Sequence, residues 1–583
     1  MKKTVLLLAG TVFLGLSLFA GGGSQSGGGT AAAGVRKDDL TKTVPLVVYA
    51  TVRNTDEADG RRTDPVSRLL EKKFNIELDL TGVDDANWAT QLAALVAAQD
   101  LPDLFTTNTT VAVTDALIAS NSLLDISPYM ADYAPYSIND PDFNLMYELA
   151  TRKTTANPEG KFVNWGLCRG SWDNGTWPTV GNYILWDVYA NLGYPKLDNF
   201  ETDLVNVLEQ MVKASPTSLS GNKTYATGAW FGDGQGYGEW VIQYTQTWPE
   251  NLSYAGALTV ALDGTDSTMV NMNQLTNINS NYWKVMTFYN KLWQKGLFDP
   301  DSFTQQEAMY RGKVYDGRYM YIVPGWRATG ANTEFTAAGS PHTFVSLPTF
   351  NKKSEARVTV MTGGERQYGI SSKTQYPERA VALLDYISSH EFSRIATNGP
   401  EGILWNMING KPVPTEEYLN TATRDREFYL RTGAGIYHHF LGYGSGTVDP
   451  ATGISINLAT YSPQAVIKSM NAAIKDFCAY YGKETLQDVY QSATPITQGY
   501  GFLQFDSLPD DIQTYWSGLE AYTAKAFPKV LMANSDAEFA RFRDEMIAGM
   551  APYRPDAIFQ WYWNQAQAQA EGVKALLEAA KSK

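Results

Sequence analysis

Two cysteines and four histidines are all that 583 residues contain. No CxxC occurs, so neither a thiol redox pair nor a paired-cysteine zinc site is indicated. Cys168 and Cys478 lie far apart, and the spacing leaves two readings open: a disulfide or two buried free thiols. No HExxH and no pair of histidines one helical turn apart exist; His438 and His439 are adjacent, and neighbours in a chain seldom face one metal ion. GxSxG is absent, which removes the α/β-hydrolase elbow. The glycine run Gly232 to Gly238 fits neither GxGxxG nor a P-loop, and no strand leads into it. Asp299-Pro-Asp301 lacks EF-hand spacing, because Phe303 stands where an oxygen ligand belongs. No cofactor is expected.

Positive charge is also short. Lys and Arg number 47 against 61 Asp and Glu, a net charge of -14. Nucleic acid and anionic lipid both recruit basic patches, so neither is expected as the main partner. There is a single long apolar run, Val5 to Ala20 behind Met1-Lys2-Lys3, short for a membrane span. This is the pattern of a secretory signal peptide over 1–20. The segment 21–43 opens on GGGSQSGGGTAAAG, a flexible tether with nothing to pack.

What the chain has in quantity is aromatic side chains, 13% of residues, with 15 Trp and 34 Tyr. Most of them serve a large core. Some suit a groove in which ring faces meet the C–H faces of sugars while polar neighbours take the hydroxyls.

Order begins near Val44. Val44–Val52 reads as a buried strand, Pro65 to Phe74 as a helix, and Asn75 to Thr81 alternates with the period of a strand. Asp84 or Asp85 caps a helix carrying Trp88, Leu92, Leu95 and Val96 on one face, and Leu101 to Phe105 returns to a strand. Strand, helix, strand, helix, strand predicts a parallel α/β sheet. The same character returns later. A helix capped by Asn199 carries Leu204, Leu208 and Met211, and the helix Asn281 to Lys295 is ended by Gly296. Tyr319 to Val323 and Thr343 to Leu347 read as strands, Pro377 opens a helix, and Asn564 to Lys583 forms a terminal one.

A series of phrases runs in order through the chain: Ala98-Gln-Asp-Leu-Pro-Asp-Leu-Phe105, Leu123-Leu-Asp-Ile-Ser-Pro-Tyr-Met130 and Ile184-Leu-Trp-Asp-Val-Tyr-Ala-Asn-Leu-Gly193. Gly221-Asn-Lys-Thr-Tyr225, Phe288 to Pro300, Pro400-Glu-Gly-Ile-Leu-Trp405 and Asn409-Gly-Lys-Pro412 follow. From about residue 44 to the C-terminus the series resembles the extracellular solute-binding proteins of family 1, and within it the LplA-like lipoprotein subgroup of ABC importers. The resemblance implies the α/β type II periplasmic-binding-protein fold, in which two α/β lobes joined by crossing hinge segments hold a ligand between them. It divides the chain into a first lobe over 44–162 and 347–460, a second over 163–346, and a C-terminal helical segment, 461–583, packed on the second lobe and the hinge. Crossings are expected near Lys161–Trp165 and Ser346–Phe350. Two departures stand out. Gly21 and Gly22 occupy the place of a lipidated cysteine, and Ile184 to Tyr189 replaces a more basic family run.

The implied function is capture of a carbohydrate, an oligosaccharide in particular, by hinge closure and its delivery to the ABC permease. The protein is then an extracytoplasmic monomer and not an enzyme. Two alternatives stay open: a secreted glycosidase or lyase, which needs a carboxylate pair that 61 acidic residues leave open, and a peptide or other-solute binder on the same fold. Ligand contacts are expected in loops after strands. These are Arg53, Asn54 and Asp56 after the first strand, with Arg offering a planar donor fork, and Thr107 and Asn108 after Leu-Pro-Asp-Leu-Phe. Trp172, Asp173 and Trp177 follow the first crossing. Trp326 and Arg327 follow Tyr-Ile-Val-Pro-Gly, where relatives such as maltose-binding protein present a stacking aromatic. Glu365 and Arg366 follow a Gly-Gly turn, and Trp405 closes its phrase.

Overall fold

The computed structural model describes residues 39–51, 60–83, 88–107, 111–170, 180–198, 202–232, 252–255, 260–263, 269–271, 275–347, 356–359, 361–421, 424–491, 495–498, 503 and 505–581.

The strand β1 (Val44–Thr51) sends Leu46, Val48 and Ala50 into one core and Tyr49 into another on the opposite face. Burial on both faces is why the run is apolar without interruption. Beside it run β2 (Gly60–Arg61), β3 (Ile76–Val83), β4 (Leu104–Thr106) and β5 (Trp165–Gly170). The helix Pro65–Phe74 forms where expected. Asp64 accepts from the amides of Val66 at 2.9 Å and Ser67 at 3.0 Å, proline fills the first turn, and Asn75 closes the helix at φ 47°.

Six strands make this first sheet, in the order β2-β3-β1-β4-β13-β5, where β13 is Met361–Ile370. β1 is parallel to β3 and β4, as the alternation predicted. β13 returns from far along the chain and wedges between β4 and β5, antiparallel to both. No local pattern announces it.

The second sheet has β6 (Val180–Leu185) between β10 (Tyr321–Pro324) and β11 (Phe344–Leu347), both antiparallel to β6. Between β6 and β10 in the chain, β7 (Leu252–Ala255), β8 (Val260–Asp263) and β9 (Met269–Asn271) form a small antiparallel sheet.

Two large hydrophobic cores organise the molecule. One draws on residues from Leu46 to Leu167 and again from Tyr368 to Leu458. The other draws on Tyr183 to Leu347 and on Ala473 to Phe559. Each core carries one of the two main sheets, so the protein is two α/β lobes. The chain passes between them after β5, after β11, and between the helices Leu458–Tyr461 and Ala472–Tyr480. The first passage differs from expectation. Lys161 to Trp165 leads into β5, which pairs with β13 inside the first sheet, so the chain leaves that lobe only after Gly170. After β11, β12 (Ala356–Thr359) pairs in parallel with the strand Pro495–Gln498.

The terminal helix begins earlier than its alanine-rich tail suggested, at Pro555, and runs to Lys581. Cys168 and Cys478 are both buried and not joined in a disulfide; burial pushes the Cys478 thiol up to about 11. No described helix is long and apolar enough to cross a membrane.

Candidate ligand-binding site

Register decides which side chains can meet. β1, β3, β4 and β5 point the same way and end at Thr51, Val83, Thr106 and Gly170, while antiparallel β13 begins at Met361, opposite Gly170. In the second sheet β10 ends at Pro324, paired with Val180, where β6 begins. The chain therefore leaves the first sheet at its carboxyl edge, at Gly170, and enters the second at the matching edge, at Val180. Open α/β sheets take ligands at this edge.

Arg53, Asn54 and Asp56 follow β1, Asn108 follows β4, and Trp172, Asp173 and Trp177 follow β5; all seven lie outside the described residues. On the second lobe, Trp326 sits in the first turn of the helix Gly325–Ala337, directly after β10. It is 36% exposed, among the few large apolar side chains open to solvent. Its neighbour Arg327 pairs with Glu307 at 2.5 Å. Glu307 opens the helix Glu307–Tyr315, so this pair holds the two helix starts together at the edge. Met309, 56% exposed, stands in the same first turn.

Other expected contacts are drawn into the first lobe. Thr107 is buried, its amide donating to Gln367 O at 2.8 Å and its hydroxyl to Asn164 Oδ1 at 3.3 Å. Arg366 is 7% exposed and holds His438 through its carbonyl and through Nε2 at 2.8 Å. That contact gives His438 a structural partner. Glu365 lies in β13 beside a register shift. Trp405 is 3% exposed and donates its indole N–H to Gly399 O at 2.8 Å, within the first lobe. Asp299 and Asp301, discounted as calcium ligands, clamp buried Lys313 at 2.6 and 2.7 Å, and Asp299 also accepts from Tyr319 at 2.6 Å.

Sequence reasoning passed over the C-terminal segment. There Phe505, Trp561 and Tyr562 form a half-buried aromatic cluster, with ring centroids 4.9 to 6.4 Å apart. The dense run Trp561-Tyr562-Trp563 was its signal in the sequence. Glu520 is open to solvent yet hemmed in by protein, and desolvation raises its carboxyl. Burial together with the charge of Glu520 pushes the Tyr562 phenol up to about 12. Among the described residues this segment touches the first lobe where Ser507 donates to Asp115, Thr155 to Asp506 at 3.3 Å, Arg152 to Gln569 at 3.3 Å, and Lys468 to Leu419 O at 2.8 Å.

Burial raises Asp115, the Ser507 hydroxyl partly offsets that, and the charge of Asp506 adds to it. A carboxyl whose folded pKa lies above its unfolded value weakens the fold at every pH above that folded value, and the penalty disappears below the ordinary aspartate pKa of 3.8. Asp115→Asn is therefore expected to raise the thermal midpoint at pH 7, and the difference from the parent to close as pH falls below 3.8. Melts recorded across this range check the sign; a variant less stable than the parent at neutral pH contradicts it.

The model of the bacterial extracellular solute-binding protein family matches residues 59–392, more than half of the chain. The chain belongs to that family. Membership places this solute-binding protein outside the cytoplasm. No curated protein matches the chain in sequence. Among solved structures, the alginate-binding protein AlgQ2 without calcium ion superposes with a TM-score of 0.59 at 15% identity, covering 91% of this chain and 100% of that one. A solute-binding protein of Bifidobacterium longum infantis that binds human milk oligosaccharides (HMO) gives 0.59 at 15% identity, over 89% and 98% of the two chains. The substrate-binding protein FusA of an S. pneumoniae ABC transporter, in complex with kestose, gives 0.57 at 14% identity, over 91% and 100%. At such identities the likeness is one of fold, and it is the type II periplasmic-binding fold that the two lobes and their crossings describe.

Proposed function

We propose that this solute-binding protein serves an ABC importer and that its solute is an oligosaccharide, held between the two lobes without chemical change. The observation that carries the reading is Trp326, a solvent-open indole at the carboxyl edge of β10, beside the point where the chain enters the second lobe. A ring face there offers apolar contact to a sugar's C–H groups. The Arg327–Glu307 pair next to it supplies donors and acceptors for hydroxyls. The structural neighbours named for alginate, milk oligosaccharides and kestose favour the same ligand class.

In this reading the lobes comprise 44–170 with 361–461, and 180–347 with the C-terminal segment. Arg53, Asn54, Asp56, Asn108, Trp172, Asp173, Trp177 and Glu365 complete the ligand shell. Closure follows from differential affinity: a ligand touching both lobes binds the closed form better and shifts the population toward it. A monomer presents both closed lobes to the permease, and neither cofactor nor catalytic step is needed.

The test is a thermal-shift screen against neutral and acidic oligosaccharides of two to eight units, with chromatography of the sugars afterwards. A ligand that binds only the folded state, present at 100 times its Kd, stabilises by about 2.7 kcal/mol. The expected result is a raised midpoint with at least one glycan recovered intact. Shortened products would overturn the reading in favour of an enzyme.

A further inference from the structure

A cavity of about 1450 Å³ lies on the first lobe and not between the lobes. Its lining comes from residues 40–141 and 382–452, all on the first lobe. Leu40 precedes β1 and Phe74 precedes β3, so one end of the cavity opens at the amino edge of the sheet, opposite the edge that carries the proposed groove. Of the expected ligand contacts among the described residues, only Trp405 lines it.

Its floor is a built polar site. Arg394 is nine-tenths buried; Nη1 pairs with Asp449 at 2.6 Å, and Nε is buried without an acceptor. His390 stacks on Tyr443 at 3.6 Å between ring centroids, and its Nδ1 lies 2.9 Å from the Tyr136 hydroxyl. Along the walls stand the rings of Phe74, Tyr133 and Tyr386, with Lys73 4.2 Å above the Tyr386 face. The lining carries six carboxylates, on Asp132, Asp140, Asp385, Glu391, Glu401 and Asp449, against two permanent cations, Lys73 and Arg394.

We propose that this cavity is a second saccharide site, taking a neutral stretch of a glycan on the outer face of the first lobe. Three features select the class. Ring faces beside polar groups suit sugars. A lining with both a cationic donor, Lys73, and carboxylate acceptors needs a ligand that accepts and donates, as hydroxyls do, whereas a lipid or an apolar peptide would cover these groups with carbon. The carboxylate excess repels uronates, sulfated sugars and phosphates. The volume exceeds the roughly 300–1,000 Å³ of drug-sized sites, which fits several sugar units better than one. The site is separate from the groove between the lobes. A long glycan held at both would stay tethered to the protein while its end is engaged for transport.

The experiment is isothermal titration of the full chain with maltohexaose and cellohexaose as probes, and with an oligogalacturonate as the charged control. Two variants address the cavity: Tyr386→Ala removes a wall, and Ala451→Trp adds bulk from an exposed turn while keeping the backbone amide that donates to Asp449 Oδ1 at 2.9 Å. A neutral hexasaccharide is expected to bind the parent at two sites, with one weakened at least tenfold in both cavity variants and retained in Trp326→Ala. Binding unchanged in Ala451→Trp overturns the cavity while leaving the groove between the lobes standing. Loss in the cavity variants with no effect of Trp326→Ala supports the cavity and overturns the groove. Preference of the cavity for the oligogalacturonate, or no binding of either hexasaccharide, overturns the proposal.

Discussion

Arg169→Ala is expected to cost about 3–5 kcal/mol of stability, because it strands a buried carboxylate. Arg169 is fully buried in β5. Its guanidinium donates to Gly166 O at 2.9 Å, Ser388 O at 2.8 Å and Asp140 Oδ2 at 3.3 Å. It also lies 5.4 Å from the ring of Phe143 and 5.0 Å from that of Tyr443. Asp140 accepts from the Tyr443 hydroxyl and caps the helix Pro141–Ala150 through the Asp142 amide at 3.0 Å. One cation thus ties a strand of the first sheet to a helix start and to the helix end at Ser388. Removing it leaves the Asp140 charge with hydroxyl and amide partners only. Denaturant midpoints measure the loss. Asp140→Asn added to Arg169→Ala is expected to recover part of it, since the uncompensated charge is then gone. A loss below 1 kcal/mol in the single variant would mean that water reaches the network.

Trp326→Ala is expected to act in the opposite way, on binding and not on folding. The side chain is 36% exposed in the first turn of a helix, so its truncation should leave the melting midpoint of the free protein within about 0.5 kcal/mol of the parent. An aromatic anchor in a binding groove contributes about 2 kcal/mol or more, roughly a 30-fold change in Kd. Titration with whichever oligosaccharide raises the midpoint measures it. Arg327→Ala is expected to cost less, because its guanidinium is already engaged with Glu307. Unaltered affinity in Trp326→Ala would place the groove elsewhere on the molecule.

These two residues also mark how far the sequence could be read. Trp326 was legible because a short apolar strand ending in Pro-Gly dictates a turn, and whatever follows a strand of an α/β lobe stands at its carboxyl edge. Arg169 was not. Four residues from the start of a short strand it looks like a surface cation, and only the return of β13, with the chain from Ser388 to Tyr443 packed behind, buries it. The same cause turned Thr107, Arg366 and Trp405 inward. Loop position after a strand was readable, whereas the direction of each side chain depended on elements hundreds of residues away. The aromatic cluster of Phe505 with Trp561 and Tyr562 escaped for a related reason: the two segments are 56 residues apart and meet only because the long C-terminal helices fold back on each other.

By itself the sequence determined the elements whose causes are local. The helix Pro65–Phe74 has its Asp64 cap and first-turn proline within one turn, and β1 and β3 have their apolar spacing. The alternation of these elements determined the parallel pairing of β1 with β3 and β4. Tertiary structure alone decided where the chain leaves the first lobe, how β13 completes that sheet, which charges are buried, and that a cavity forms on the first lobe. The reason is physical. Caps and periodicity act over a few residues, but burial and charge pairing are set by whichever distant segment removes the water.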